Sequence, residues 1–396
     1  MPNRLTPLQR QPCRLLPPAL VCPLGDDLVA IAGALFNGRR ALVRDDAYTP
    51  GRPLPLGRVT ASLPETHTWP PAHRSRNNQL LAAALERLSP TLDAFRQRRP
   101  RARIGVILGT STSGIGETET ALAARQPDGN WPASFHYQRH EIGSPACFVA
   151  EHLGLDGPAY TLSTACTSSA RALASAKRLL ATGACDAVIA GGADSLCGLT
   201  VNGFASLEAL SDNPCQPFSA NRDGINLGEA AALFLVTAEP GGIQLSGYGE
   251  TSDAYHISAP RPDGLGAVAA MQAALDMARL SPGNIDYLNL HGTATRQNDS
   301  MEALAVAQLF GHDLPCSSTK ALTGHTLGAC GALEAAFCWL TLDARRLPPQ
   351  VHDGKIDPQL PTLTYADAIR CDVTRVMSNA FAFGGNNIAL LMERLS

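Results

Sequence analysis

The sequence lacks most of what would mark it for secretion, a membrane or a nucleic acid. Its 11 cysteines include no C-x-x-C pair, and an odd count without framework spacing argues against a disulfide scaffold or a zinc ribbon. Several (Cys185, Cys197, Cys330, Cys338) lie in apolar, alanine-rich contexts, where a thiol serves as a small hydrophobe. Reduced thiols and a cytoplasmic setting are therefore expected. No apolar run is read as approaching the roughly 18 residues of a membrane span. Met1 to Arg14 carries charges but no apolar core ahead of a cleavage site, so no signal peptide is expected. No long basic run occurs and the formal net charge is −3, which points away from nucleic acid. What remains is a 396-residue chain with 35 Gly and 29 Pro, globular, rich in loops, and long enough for two domain-sized halves.

The stretch with the most chemistry is Tyr160 to Leu173, which reads as a short strand, a turn of small residues and an alanine-rich helix, with Cys166 at the turn. Unpaired N–H groups and the dipole at a helix start favour negative charge, and so bias a thiol there toward thiolate. By itself the cysteine could equally be small buried filler.

Around it, strands and helices alternate. Asp26 or Asp27 can cap a helix running to about Phe36, closed by Asn37-Gly38. Residues 44–72 look like a surface excursion. Leu80, Leu81, Ala84, Leu85 and Leu88 share one face of a helix over Ser75–Leu92. The arginines between Arg96 and Arg103 read as a solvated helix end. Ile104–Leu108 is a buried-type strand running into Gly109–Gly116, a small-residue loop that lacks the lysine of a P-loop and the G-x-G-x-x-G spacing. Asp186–Gly192 and Gly228–Thr237 read as strands around a long loop at about 196–225. The second half repeats the grammar: strands at Ile243–Tyr248, Ile285–Leu290 and Pro315–Thr319, helices at about 265–279, 299–310 and 327–343, and two closing strands at Val376–Asn379 and Asn387–Met392. The class is α/β, with sheets covered on both faces and halves at 1–240 and 241–396.

Two of the ten histidines stand at strand ends in Gly/Thr-rich turns, His291 and His325, with Lys320 five residues before the latter. A cysteine, two histidines and a lysine gathered at one face could form a nucleophile and acid–base site. At this point six ordered motifs coincide. Ser163-Thr-Ala-Cys166, Asp186 to Asp194, Asn221-Arg-Asp-Gly224, His291-Gly-Thr-Ala-Thr295, Ser318 to His325 and Phe383-Gly-Gly-Asn-Asn387 resemble those of the elongating β-ketoacyl-acyl-carrier-protein synthases. The resemblance extends from about Val21 onward.

It implies a thiolase fold, with two similar α/β halves in an α-β-α-β-α arrangement. It implies decarboxylative condensation of an acyl-enzyme with malonyl-acyl-carrier protein in fatty-acid elongation. The alternative is a dedicated polyene- or polyketide-like pathway, with this chain as the active half of a heterodimer with a chain-length-factor-like partner. Cys166 would be the nucleophile, His291 and His325 the catalytic histidines, and Lys320 their supporting lysine. The amides of Cys166 and Phe383 would bind the oxyanion. Thr293 and Thr295 would bind the phosphopantetheine arm, Ser258 and Phe204 would line the substrate pocket, and Phe383 would gate it. Asp299 and Glu302 match an acidic network around the lysine, and Glu334 a buried acid; structural pairing is the expected role of all three. The implied partners are acyl-carrier protein and a second subunit, normally a homodimer. No resident cofactor or metal is implied, because substrates arrive on the carrier's 4′-phosphopantetheine arm. An acidic carrier calls for a basic rim, with Arg74 and Arg76 as candidates. The chain departs from the family pattern at Asn386, in the polar loop Thr110–Ile115 and around His73–Asn78, which touches gate, pocket rim and partner surface rather than the chemistry.

Overall fold

The computed structural model describes residues 11–125, 127–367 and 371–396, so most of the Met1–Arg14 segment lies outside the described residues. Two buried helices form the middle of the molecule, Ser168–Ala181 and Cys330–Ala344. They are alanine-rich because they are covered on nearly every side, the second without a break from Cys330 to Leu342. Their N-terminal ends touch closely. A Cβ on Gly331 would come within 2.6 Å of Ala170, and the Ala332 amide donates to Ser169 Oγ at 2.8 Å.

On either side of this pair lies β-sheet with the same local order. In the first half Ile104–Gly109 is flanked in parallel by Ala159–Leu162 and Ala187–Asp194, and the last pairs antiparallel with Ala230–Thr237. In the second, Tyr287–Asn289 is flanked in parallel by Pro315–Ser317 and Arg375–Phe381, and the last pairs antiparallel with Asn386–Leu395. Strands such as Ile104–Gly109 and Ala230–Thr237 are buried at every residue, as expected of sheets covered on both faces. Outer helices complete the layers: Arg76–Arg98 and Ser144–Leu153 against the first sheet region, Leu265–Ala278 and Arg296–Phe310 beyond the second. The two regions are hydrogen-bonded into one 12-stranded sheet. Arg14–Leu15 bridges them, pairing with Ala230–Thr237 on one side and Gly242–Ser252 on the other.

Capping and periodicity hold locally. Asp27 accepts from the Ala30 amide at the head of Leu28–Phe36, and Ser75 accepts from Asn78 at the head of Arg76–Arg98, which continues through Pro90 past the expected end. Other expectations are corrected. The supposed loop 196–225 contains the helix Gly198–Ser206. It buries only Val201, so it has no apolar stripe to read, and it is held instead by Glu119, which accepts from the Gly198 amide. The polar loop runs directly into a helix, Ile115–Ala123, that buries only Ala121. Residues 44–72 are less of an excursion than expected, because Leu54 and Leu56 are buried in a strand paired with Val43–Asp45. Leu327–Ala344 is apolar over 18 residues, contrary to the expectation of no such run, but 89% of it is buried, as the central helix must be.

Candidate active site

Cys166 sits where the strand Ala159–Leu162 turns into the helix Ser168–Ala181. Ala165 adopts a left-handed conformation (φ 53°) to make that turn, and its carbonyl is held by the Ser168 amide and hydroxyl at 3.1 and 2.6 Å. Cys166 Sγ lies 3.0 Å from His325 Nε2. The expected thiolate is not favoured at rest. Burial pushes the thiol up to about 12, and Lys320 offsets this only in part. Burial, and then Lys320, also hold the His325 pKa well below its ordinary value. The pair is therefore a neutral thiol donating to a neutral imidazole, with the His325 proton on Nδ1. That nitrogen is buried without a hydrogen-bond partner among the described residues, so only the Cys166 contact biases the tautomer.

His291 is constrained differently. Its carbonyl and Nδ1 both receive the Lys320 ammonium, at 2.5 and 3.2 Å, and the third acceptor of that ammonium is Glu334 Oε1 at 2.5 Å. Glu334 raises the Lys320 pKa against the penalty of burial, so Lys320 stays charged and its three protons meet three acceptors. Nδ1 of His291 must then be an acceptor, which leaves the proton on Nε2. The ring lies edge-on to His325, centroids 5.3 Å apart. Its backbone is braced by Glu302, which accepts from the His291 and Gly292 amides at 2.7 Å each. Asp299 accepts from Phe218 at 2.8 Å and from Ala294. Burial raises Glu302 to about 7 and Asp299 to about 6. Neither Asp299 nor Glu302, the carboxylates expected around the lysine, hydrogen-bonds it; its carboxylate partner is the buried acid Glu334. Glu334 contacts the ammonium, whereas Glu302 and Asp299 hold the His291–Thr295 loop.

These groups meet at a cavity of about 140 Å³ lined by Cys166, His291, His325, Thr293, Thr295, Ser258, Phe204 and Phe383. Every residue expected in the substrate pocket is in its wall, while Lys320, Glu302, Asp299 and Glu334 lie behind it. Phe204 and Phe383 face each other, ring centroids 5.5 Å apart. Phe383 precedes two glycines in left-handed conformations, Gly384 (φ 83°) and Gly385 (φ 74°), which only glycine adopts without strain. Sequence reasoning missed what anchors this turn. The Asp253 amide donates to Gly385 O at 2.8 Å, the Gly384 amide to Ile257 O at 2.7 Å, and Asn387 Nδ2 to Asp253 Oδ1 at 2.7 Å. Asp253 stands in an irregular loop with no pattern to announce it. Asn298, in the helix Arg296–Phe310, and Asn387, the last residue of the Phe383–Asn387 motif, are also in the wall, and neither has a role expected from sequence.

The polar loop is not part of the pocket rim. Thr110 and Thr112 turn their hydroxyls onto buried Asp194 Oδ1 at 2.7 Å each, and the Ser111 and Thr112 amides join them at 2.8 Å. The loop is polar because it clasps this carboxylate. Nor does Arg76 belong to a basic rim. Its guanidinium makes a two-pronged pair with the fully buried Glu229, at 2.6 and 2.8 Å, and Arg74 donates to the carbonyls of Trp69 and His67.

Donor atoms of Cys166, His291 and His325 lie within 4.8 Å of one another, a set of types that can bind zinc. The tautomer set by Lys320 opposes that use, since it leaves a proton rather than a lone pair on His291 Nε2. The depressed His291 and His325 pKa values have a kinetic consequence. A base whose pKa is lowered stays neutral further into acid, so kcat/KM for condensation should hold level from about pH 8 down past pH 6.5, where an ordinary histidine begins to protonate. A pH–rate profile falling with an apparent pKa near 6.5 would contradict this electrostatic picture.

The chain matches two family models, Beta-ketoacyl synthase, N-terminal domain, over residues 77–240 and Beta-ketoacyl synthase, C-terminal domain, over 243–353. It is 35% identical over 311 residues to the 3-oxoacyl-[acyl-carrier-protein] synthase 2 of Staphylococcus aureus (strain COL), covering 74% of this chain and 75% of that one. The Rhizobium meliloti (strain 1021) protein of the same name is 34% identical over 73% of this chain and 74% of its own length. Among solved structures, a ketosynthase in complex with its chain length factor, from Xenorhabdus doucetiae, superposes with a TM-score of 0.92 at 45% identity, covering 98% of this chain and 99% of that one. With its motifs, its fold and its gathered cysteine, histidines and lysine all in agreement, the chain belongs to the β-ketoacyl synthase family of condensing enzymes.

Proposed function

We propose that Cys166 takes an acyl group from acyl-carrier protein and that the acyl-enzyme then condenses with malonyl-carrier thioester. In the first half-reaction Sγ attacks the thioester carbonyl as its proton passes to His325 Nε2 across the 3.0 Å contact. The amides of Cys166 and Phe383 receive the oxyanion. Collapse breaks the C–S bond to the carrier's phosphopantetheine arm, and His325 returns the proton to that departing sulfur. In the second, the malonyl thioester loses CO₂ and its electron pair becomes an enolate. The Nε2–H of His291 donates to the enolate oxygen, joined by His325 once its unrestrained ring carries its proton on Nε2. The enolate carbon attacks the acyl carbonyl, the C–S bond to Cys166 breaks, the released thiolate takes up from water the one proton that the decarboxylative condensation consumes, and β-ketoacyl-carrier protein leaves. Thr293 and Thr295 hydrogen-bond the arm, while Ser258, Phe204 and Phe383 border the acyl and malonyl groups. The observation that carries this reading is the Cys166–His325 contact in a cavity whose other histidine is locked as a donor. It is tested by mixing the protein with acyl- and malonyl-carrier protein and weighing it. An acyl adduct on Cys166 that malonyl-carrier protein discharges as β-ketoacyl product supports the reading, and a folded protein that never acquires the adduct sinks it.

Fatty-acid elongation and a dedicated polyene- or polyketide-like pathway share this chemistry. We favour the second, with the chain as the active half of a heterodimer. The likeness to the ketosynthase seen with a chain length factor spans 98% of the chain at 45% identity, against 74% at 35% for the Staphylococcus aureus synthase. A sheet edge beside the site supports this reading. The strand leading to Cys166, Ala159–Leu162, ends the sheet order and has no buried residue, and an unpaired edge is a template for another chain's strand. Sizing the chain alone and after co-expression with a chain-length-factor-like subunit discriminates the two. A stable, fully active homodimer would return the assignment to ordinary elongation.

A further inference from the structure

The nucleophile's backbone has a partner that neither composition nor motif singled out. Cys330 opens the central helix of the second half, is 1% exposed, and places Sγ 3.2 Å from the carbonyl oxygen of Cys166. Burial, together with the nearby Glu334 charge, raises its pKa well above the ordinary thiol value. Cys330 is therefore a neutral S–H and hence a donor. The same sulfur lies within 4.8 Å of donor atoms on His291 and Glu334, next to the cluster that holds Lys320.

We propose that Cys330 is a positioning residue for the nucleophile. Two peptide planes meet at Cys166, and each is clamped by its carbonyl. The plane before it is held through Ala165 O by Ser168. The plane after it is held through Cys166 O by Cys330. With both planes fixed, φ and ψ of Cys166 are fixed. The direction of Cα–Cβ, which aims Sγ at His325, and the direction of the Cys166 N–H then follow. Ser168 belongs to the nucleophile's own helix, but Cys330 comes from the other half of the chain. It acts beside Gly331, which lets the two helices approach, and Ala332, whose amide ties them. Cys330 thereby couples the aim of the nucleophile to the element that carries Glu334.

This inference rests on Cys166 being the acylated residue, and the test separates the two ideas. Wild type, Cys330→Ala and Cys330→Ser are compared in two assays: iodoacetamide alkylation of Cys166, followed on its own peptide by mass, and acylation from acyl-carrier protein. Cys330→Ala should slow both about fivefold, the rate equivalent of the ~1 kcal/mol typical of one neutral hydrogen bond. Cys330→Ser, which keeps a donor, should restore most of the rate, and that rescue is what a purely packing role would not produce. Equal rates in all three proteins, or an equal loss in the Ala and Ser variants, overturn the proposal. Should Cys330→Ala not fold, a folded Cys330→Ser that has lost the alkylation rate overturns it as well. If no protein, wild type included, acylates, the proposed reaction fails, while alkylation still reads the positioning role.

Discussion

Cys166→Ala is expected to remove the acyl adduct altogether and to lower condensation at least about a thousandfold, because no second thiol occupies its place as covalent carrier. Cys330 is the nearest alternative, but it donates to a carbonyl, is wholly buried, and is absent from the cavity wall. The fold should hardly notice. The alanine leaves a void the size of one sulfur, on the order of 1 kcal/mol, and His325 remains neutral. Intact-protein mass after incubation with acyl-carrier protein, beside a thermal melt, checks both halves of the expectation. A variant that still acquires an acyl group would move the nucleophile elsewhere.

Lys320→Met should damage stability and activity together, but unequally across the two half-reactions. The ammonium serves Glu334 and two atoms of His291, and both charged partners are almost inaccessible, at 2% and 3% side-chain exposure. Removing one member of such a pair leaves the other buried without compensation, which costs about 3–5 kcal/mol. Adding Glu334→Gln should recover part of that loss by removing the stranded charge. Activity should not recover with it. Without a donor at Nδ1, His291 is free to carry its proton there and loses the Nε2–H that meets the enolate. Condensation should fall about a hundredfold, the lower end of what a positioned proton donor contributes. Formation of the acyl-enzyme, which uses His325, should change far less. Rapid-quench measurement of the two steps separates these outcomes, and an acylation step that collapses as far as condensation would argue that Lys320 acts on Cys166 directly.

Much of this was legible in the linear chain because the relevant signals are local. Asp27, one of the two capping candidates beside Asp26, caps its helix where spacing says one of them should. Fully apolar strands such as Ile104–Gly109 announce burial on both faces, and small residues around Cys166 and His291 mark tight turns at strand ends. The motifs carrying Cys166, His291, Lys320 and His325 are short and contiguous, so their residue types and order could be read without coordinates.

What could not be read depends on residues far apart in sequence meeting in space. The Gly198–Ser206 helix has no apolar stripe and is anchored by Glu119 from another helix. Arg76 has the sequence context of a surface cation, but its partner Glu229 lies 153 positions away. The polarity of the loop at 110–112 suits a pocket rim in sequence, but it serves Asp194, more than 80 positions away. The chemistry shows the same division. Residue type alone makes Cys166 a possible nucleophile and places a charge-permissive helix start beside it. Only the folded chain keeps the thiol neutral against the pull of the helix start, pairs it with His325, and lets Lys320 choose which nitrogen of His291 holds the proton. Desolvation and hydrogen-bond geometry are properties of the surroundings, and those surroundings come from both halves of the chain at once.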